Sequence, residues 1–134
     1  MTPAEARKLW VKALRSRKYR KGSGRLRSRS EGNPEERFCC LGVACDVYQN
    51  HVLDENAWNY GPTPGNLSGR KSYTFMGEPF GLPAAVQEWL GLKTDSGAVK
   101  GMSGSLLIKN DSGYTFEEIA ELIESGQVKT DEAA

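Results

Sequence analysis

The hydrophobic positions of the first twenty residues recur at helical spacing. Thr2 and Glu5 occupy the two positions of a capping box, and Pro3 suits the first helical position. One apolar stripe follows, made of Ala6, Leu9, Trp10, Ala13 and Leu14. The rest of that surface carries cations, namely Arg7, Lys8, Lys12 and Arg15. We therefore predict an amphipathic helix over residues 3–18.

The longest nearly continuous apolar run lies at residues 38–48, which read FCCLGVACDVY, and Asp46 is its only charge. Four of its residues follow a 3-4-3 helical spacing: Phe38, Leu41, Cys45 and Tyr48. Cys40, Ala44 and Val47 extend the apolar face around most of the circumference. Because a helix that is apolar nearly all round is buried, we predict that this segment is the central helix of the core.

Gly42 interrupts this predicted helix. Glycine in a helix interior costs about 1 kcal/mol relative to alanine, so its presence indicates that another backbone packs closely there. Leu26, which lies in the preceding segment, is a candidate for a short strand that faces the core. A strand that begins at Arg37 and switches to helix near Leu41 remains open as an alternative.

Residues 50–82 are rich in Gly, Pro and Asn, and their aromatic residues alternate with polar neighbours. The alternating residues are Trp58 and Tyr60, then Tyr73, Phe75 and Phe80. This pattern predicts an aromatic β-hairpin that is joined by the long loop GPTPGNLSGRK, residues 61–71. Residues 32–34, which read GNP, predict a turn.

Two more helices follow the hairpin. The first is predicted from Pro83 to Gly91, with an inward face made of Val86, Trp89 and Leu90. The last starts at a second capping box, Thr115 and Glu118, and its buried face is Ile119, Leu122 and Ile123. We predict that residues 93–104 are flexible and that residues 105–109 form a helix or a strand. Residues 110–113 are predicted to form a turn, and residues 127–134 are predicted to fray. The predicted fold is α+β, a single compact domain (1–134) of about four helices around the buried Cys-rich helix, with a small β-hairpin or sheet.

Charge is distributed unevenly along a chain whose net charge is only +1. Residues 7–29 contain eleven Lys or Arg and no acid, whereas residues 117–134 contain six acids and one Lys. This polarity predicts either a partner for the basic end or docking of the two ends on each other. The alternative is a solubilising surface arm, with residues 19–36 as a basic connector.

Cysteine and hydropathy patterns indicate a cellular setting. The chain has three cysteines, an odd number, and two of them are adjacent, so we do not expect a disulfide framework. We expect the protein to lie in a reducing cytoplasm. No apolar run approaches the roughly 20 residues of a membrane span, and the charged start does not resemble a secretory signal.

A cysteine nucleophile is one candidate chemistry. Cys39, Cys40 or Cys45 would need His51, the only histidine, as base, with Asp46 or Asp54 to orient it. His51 follows the thiol-bearing helix, which makes that approach awkward. The three cysteines and His51 could supply four zinc ligands, but their spacing is poor for zinc, since Cys39 and Cys40 point about 100° apart on a helix. We expect core cysteines, no metal and no cofactor.

Binding of an anion by the basic segment is the favoured candidate. Glycine amides at Gly22 and Gly24 and the surrounding guanidinium groups suit phosphate oxygens, although the spacing is not that of a Walker loop. Tyr19 could stack on a base. The candidate ligand-binding residues are Arg15, Arg17, Lys18, Tyr19, Arg20, Lys21, Arg25 and Arg27.

Four segments carry a family resemblance, in the order WVKALRSRKYRKGSG, RFCCLGVACDVY, LPAAVQEWLGL and NDSGYTFEEIAELIE. Together they resemble a family of small proteins encoded in bacteriophage genomes, which share a Phe-Cys-Cys-Leu-Gly-Val core and a C-terminal Asn-Asp, then Phe-x-x-Ile-Ala pattern. The resemblance covers most of the chain except residues 52–80. It implies the infected bacterial cytoplasm as the setting, and it implies no catalytic residues.

The expected function is therefore that of a non-catalytic bacteriophage accessory protein that acts by binding in the host cytoplasm. Host takeover or counter-defence would fit, with a basic face that holds a phosphate-bearing ligand such as a nucleotide signal, or a host protein. Nucleic-acid binding and a small cysteine-dependent hydrolase are the alternatives. No membrane partner is expected, and homo-oligomers are possible.

Overall fold

The computed structural model describes residues 1–29, 35–62, 70–101 and 103–131. These residues form five helices and two antiparallel two-stranded sheets in one compact α+β domain. In chain order the elements are α1 (Pro3–Arg15), β1 (Arg27–Arg29), β2 (Glu36–Phe38), α2 (Cys40–His51), β3 (Trp58–Pro62), β4 (Lys71–Phe75), α3 (Ala84–Leu90), α4 (Leu106–Asp111) and α5 (Phe116–Glu124). The predicted fold class is confirmed.

Helix α2 occupies the centre of the core, as its apolar circumference predicts. Every residue from Cys39 to Cys45 is fully buried or nearly so, and α2 contacts α1, α3 and α4. The close backbone approach predicted at Gly42 is present. A Cβ added at Gly42 would lie 1.7 Å from the carbonyl oxygen of Leu26, so only glycine fits there.

The predicted start of the central helix at Phe38 is wrong. Phe38 ends strand β2, and the helix begins two residues later, which is the strand-to-helix alternative. Strand β2 pairs with β1, and the Phe38 backbone N–H also donates to the carbonyl of Arg20 (2.8 Å). Phe38 has the helical spacing but its backbone is needed in this pairing, so tertiary contacts override the local periodicity.

Helix α1 is capped as predicted, and the Thr2 side chain accepts a hydrogen bond from the Glu5 N–H. Its buried face is Ala6, Trp10, Val11 and Leu14, and it packs against α2, α3 and α5. The helix ends at Arg15 rather than at residue 18. Arg17 adopts a left-handed backbone conformation (φ 62°), which cannot continue a helix.

The aromatic hairpin is confirmed, with Trp58 opposite Phe75 and Tyr60 opposite Tyr73. Phe80 lies outside it and is exposed. The ring of Trp58 packs edge-on against those of Phe38, Tyr73 and Phe75, so the two hairpins share one aromatic cluster. Residues 63–69 of the predicted loop and the turn at 32–34 lie outside the described residues.

The C-terminal third is more ordered than its composition suggests. The segment at 105–109 is helical, and residues 110–111 end α4 rather than forming a turn. The predicted fraying after α5 is not observed through Thr130. Val128 pairs with Val99 and Thr130 pairs with Leu92, which fixes the glycine-rich segment and the C-terminal segment against each other. Residues 132–134 lie outside the described part of the chain.

Candidate functional site

The three cysteine thiols are interior groups, as predicted. Cys39, Cys40 and Cys45 have no exposed surface, and all three are free thiols. Burial raises the pKa of Cys39 to about 11 and raises the pKa of Cys40 and Cys45 well above the usual value. Cys39 caps α2, since its sulfur accepts the Gly42 N–H (3.4 Å). These thiols are therefore protonated and inaccessible at neutral pH.

The hypothesised cysteine–histidine pair is not assembled. His51 is exposed at the C-terminal end of α2, away from the buried thiols. The proposed orienting carboxylate, Asp46, accepts hydrogen bonds from the Tyr19 hydroxyl (2.6 Å) and the Trp58 indole N–H (3.1 Å). Asp46 thus joins the aromatic cluster to α2. Within the described ranges, no three His, Cys, Asp or Glu side chains converge in a way that could hold a metal ion.

Most of the predicted anion-binding residues instead stabilise the fold. Lys21 donates to the backbone carbonyl of Asn110 (2.6 Å), and the ring of Tyr19 packs edge-on against Phe38. Arg27 lies over the ring of Tyr73, 4.3 Å from its centre, and its Nε donates to Glu36 (2.9 Å). These three side chains are partly buried and already have partners, so they do not form an open anion site.

Arg15 connects the two oppositely charged ends of the chain. Its guanidinium donates to Glu124 (2.8 Å), Glu117 (3.0 Å) and Glu121 (3.3 Å) of α5. The hydrogen bond to Glu124 makes the largest contribution to raising the pKa of Arg15. Docking of the basic end on the acidic end, one of the two predicted explanations for the charge asymmetry, is therefore present in the fold.

The remaining predicted residues, Arg17, Lys18, Arg20 and Arg25, have different environments. Arg17 and Lys18 are exposed, and Arg20 forms an ion pair with Glu35. The guanidinium of Arg25 lies over the ring of Phe80, 5.7 Å from its centre. The structure therefore leaves Arg17 and Lys18 exposed and gives each of the other six predicted residues a partner within the fold.

A groove of about 570 Å³ lies between α1 and the C-terminal segment, and we call it the α1 groove. This volume falls within the range of small-molecule sites. Five cations line it: Arg7, Lys8, Lys12, Arg15 and Lys100. Among the described residues Glu124 is the one carboxylate of the lining, and the other lining residues are Ala4, Val11, Ile123, Gly126, Val128 and Thr130.

Three of the groove cations are open to a ligand. Lys8, Lys12 and Lys100 are exposed, and their ammonium groups form no ion pair with the part of the chain that the structure describes. Arg7, in contrast, donates to the carbonyl of Leu90 (2.7 Å), and Arg15 is held by α5. The α1 groove therefore combines positive charge with apolar surface.

Among the predicted residues only Arg15 lines the α1 groove. Sequence reasoning assigned Arg7, Lys8 and Lys12 to the outer face of the first helix but not to a site. The signal was present, because residues 4, 7, 8, 11, 12 and 15 follow the 3-4 spacing of one helical stripe. No sequence pattern indicates that Lys100 and Glu124 line the groove, since they reach it only through tertiary packing.

Comparisons with known proteins give one result. A family model described as "Domain of unknown function (DUF8296)" matches residues 2–127. No curated protein and no solved structure matches this chain. None of the helices in the described ranges is both long and apolar enough to cross a membrane.

Proposed function

The chain belongs to this family of domains of unknown function, and we propose that it acts by binding a phosphate-bearing ligand in the α1 groove. The observation that carries the proposal is the set of three exposed ammonium groups, Lys8, Lys12 and Lys100, which line one concave surface and form no ion pair within the described ranges. Lysine ammonium groups bind phosphate as point charges, and a concave site strengthens the field that attracts an anion.

The spacing of the α1 cations supports the same ligand class. Lys8 and Lys12 are one helical turn apart, about 6 Å along the axis, and therefore face the groove together. Two like charges four residues apart on one helix face destabilise the helix slightly. An anion that neutralises both charges would remove that cost.

The biological setting that we propose is the cytoplasm of a bacterium infected by a phage. There the protein would act as an accessory protein that sequesters a phosphate-bearing small molecule without converting it. The Phe-Cys-Cys-Leu-Gly-Val resemblance motivates the setting, and the burial of all three thiols supports binding rather than cysteine-dependent hydrolysis.

Isothermal titration with tripolyphosphate tests the proposal. We expect saturable binding by the wild-type protein and about tenfold weaker binding by Lys8→Gln/Lys12→Gln, because two charge-assisted contacts are lost. The matched control is Arg17→Gln/Lys18→Gln, which removes the same charge from exposed positions outside the α1 groove. This control should bind like the wild type.

Three outcomes would overturn the proposal. Absence of any binding would do so, as would equal weakening in both double variants, which would indicate nonspecific attraction. Affinity that increases with the length of DNA or RNA and falls steeply with salt would favour nucleic-acid binding instead.

A further inference from the structure

The α1 groove has opposite charges at its two ends. Lys8 lies seven residues before Arg15, about 10 Å along the helix axis. At the Arg15 end the guanidinium is surrounded by Glu117, Glu121 and Glu124, so three carboxylates face a single cation there. Phosphate is therefore attracted to the Lys8 and Lys12 part of the groove and repelled from the Arg15 end.

Glu124 is the carboxylate that a ligand can reach. It lines the groove, and 57% of its side chain is exposed. One of its oxygens, Oε2, accepts from Arg15, but a carboxylate has about four acceptor positions on its two oxygens. Glu124 can therefore accept a further hydrogen bond from a ligand while it keeps its contact with Arg15.

Apolar surface lies among the charged groups. Val11 of α1, Ile123 of α5 and Val128 of the C-terminal segment form a narrow apolar floor, since each exposes less than a tenth of its surface. A ligand that uses the whole groove therefore needs three parts: an anionic group, an apolar or planar group, and a hydrogen-bond donor. Inorganic polyphosphate has only the first part.

We propose that the α1 groove takes a nucleotide whose base carries an exocyclic amino group, with the phosphates at Lys8 and Lys12 and the amino group at Glu124. This assignment rests on the proposed function and adds ligand class and orientation to it. A base that presents a carbonyl oxygen in place of the amino group would direct lone pairs toward the carboxylate. Its adjacent ring N–H is a donor, but that N–H points in a different direction from the amino group, so such a base loses the contact at Glu124 unless it shifts within the groove.

Matched nucleotide pairs test the assignment by titration calorimetry without divalent cations. ATP and ITP carry the same phosphates and the same fused-ring skeleton, and ITP has a carbonyl oxygen in place of the exocyclic amino group and a proton on the adjacent ring nitrogen. CTP and UTP form a second pair of the same kind. We expect ATP to bind about tenfold more tightly than ITP, and CTP more tightly than UTP, because each amino group donates to a charged acceptor.

The variant pair Glu124→Ala and Glu121→Ala separates the groove contact from the support of Arg15. Both carboxylates pair with Arg15, but only Glu124 lines the groove. Glu124→Ala should reduce the ATP-to-ITP affinity ratio to about one and should strengthen tripolyphosphate binding, since a repelling charge is removed. Glu121→Ala should keep the wild-type ratio.

The outcomes distinguish this assignment from the function on which it rests. Equal affinity for ATP and ITP, with tripolyphosphate binding still dependent on Lys8 and Lys12, would overturn the assignment and leave the function standing. A ratio that is unchanged in Glu124→Ala would also overturn the assignment. Failure of every phosphate compound to bind would overturn both.

Discussion

The polar groups of helix α2 and those of the α1 groove differ in whether they have partners within the fold. Two polar groups of α2 are paired within the fold: the Cys40 N–H donates to the Asn110 side chain (3.1 Å), and the Asp46 carboxylate accepts from Tyr19 and Trp58. In the groove, Lys8, Lys12 and Lys100 point to solvent without an ion pair in the described ranges. The first region is closed to further partners, and the second is open to them.

This difference explains why the most distinctive motif does not supply the candidate site. Phe38 packs in the aromatic cluster, Cys39 caps α2, and Gly42 admits the backbone of Leu26. Asn110 holds α2 and the connector together, because its amide also donates to the Gly22 carbonyl (2.8 Å). The motif residues thus specify the fold, while the ordinary lysines of α1 provide the candidate site.

The largest effect that separates the two regions is expected from Gly42→Ala. The added Cβ would meet the Leu26 carbonyl at 1.7 Å, and neither backbone can move without disrupting the core. We expect a loss of about 5 kcal/mol in the free energy of unfolding, or no folding at all. Urea denaturation followed by circular dichroism measures it. Gly61→Ala is the control, since an added Cβ there meets no described atom within 4 Å; similar stability of both variants would contradict the close packing.

Asn110→Ala should have the next largest effect. It removes the acceptor of the Cys40 N–H and the donor to Gly22, and leaves two backbone groups without partners in the core. We expect a loss of about 4 kcal/mol in the free energy of unfolding, measured by urea denaturation. Asn50→Ala, at an exposed position of α2, should change stability little. A small effect at Asn110 would mean that water or rearrangement replaces both bonds.

Alkaline pH should destabilise the core. The pKa of each buried thiol is raised in the folded state, so its contribution to stability is intact below pH 9 and is lost as pH rises further. For Cys39, whose pKa is raised to about 11, this loss amounts to about 2 kcal/mol at that pH.

Denaturation curves between pH 8 and 11 measure this loss. The control is Cys39→Ser, which keeps a capping oxygen at the start of α2 but has no group that ionises in this range. Its stability should fall less steeply with pH than that of the wild type. Parallel curves for the two proteins would show that ionisation of Cys39 does not contribute.

The smallest effect on stability is expected from a substitution of Arg15, which lines the α1 groove and pairs with α5. Arg15→Gln removes the cation that three α5 carboxylates share, and leaves them to repel one another. Thermal stability should decrease at low salt, and the decrease should shrink as salt screens the repulsion. Arg17→Gln, at an exposed neighbouring position, should show no such salt dependence. A decrease that is unaffected by salt would point to lost packing rather than lost charge.

Elements with local signals could be predicted from the sequence. The capping boxes Thr2–Glu5 and Thr115–Glu118 fix the helix starts through residues three positions apart, and both are present. The apolar circumference of residues 40–48 and the glycine within it indicated burial and close packing, and both are confirmed. The start of α2 was misplaced because Phe38 fits a helical pattern but pairs as a strand.

The candidate site was less predictable because it is assembled from distant segments. The connector was favoured for its density of cations, but Arg27 and Lys21 find their partners in Glu36 and Asn110, which no local pattern reveals. The α1 groove requires the segment after α5 to pair with residues 92–100, a region whose composition indicated flexibility. Charge density alone therefore could not distinguish structural cations from available ones.

Nuclear magnetic resonance mapping locates bound tripolyphosphate without any substitution, and therefore shows whether the ligand lies in the α1 groove. We expect the largest changes in amide chemical shift at residues 7–12 of α1 and at Lys100. Changes concentrated at residues 17–25, with α1 and Lys100 unaffected, would contradict this expectation.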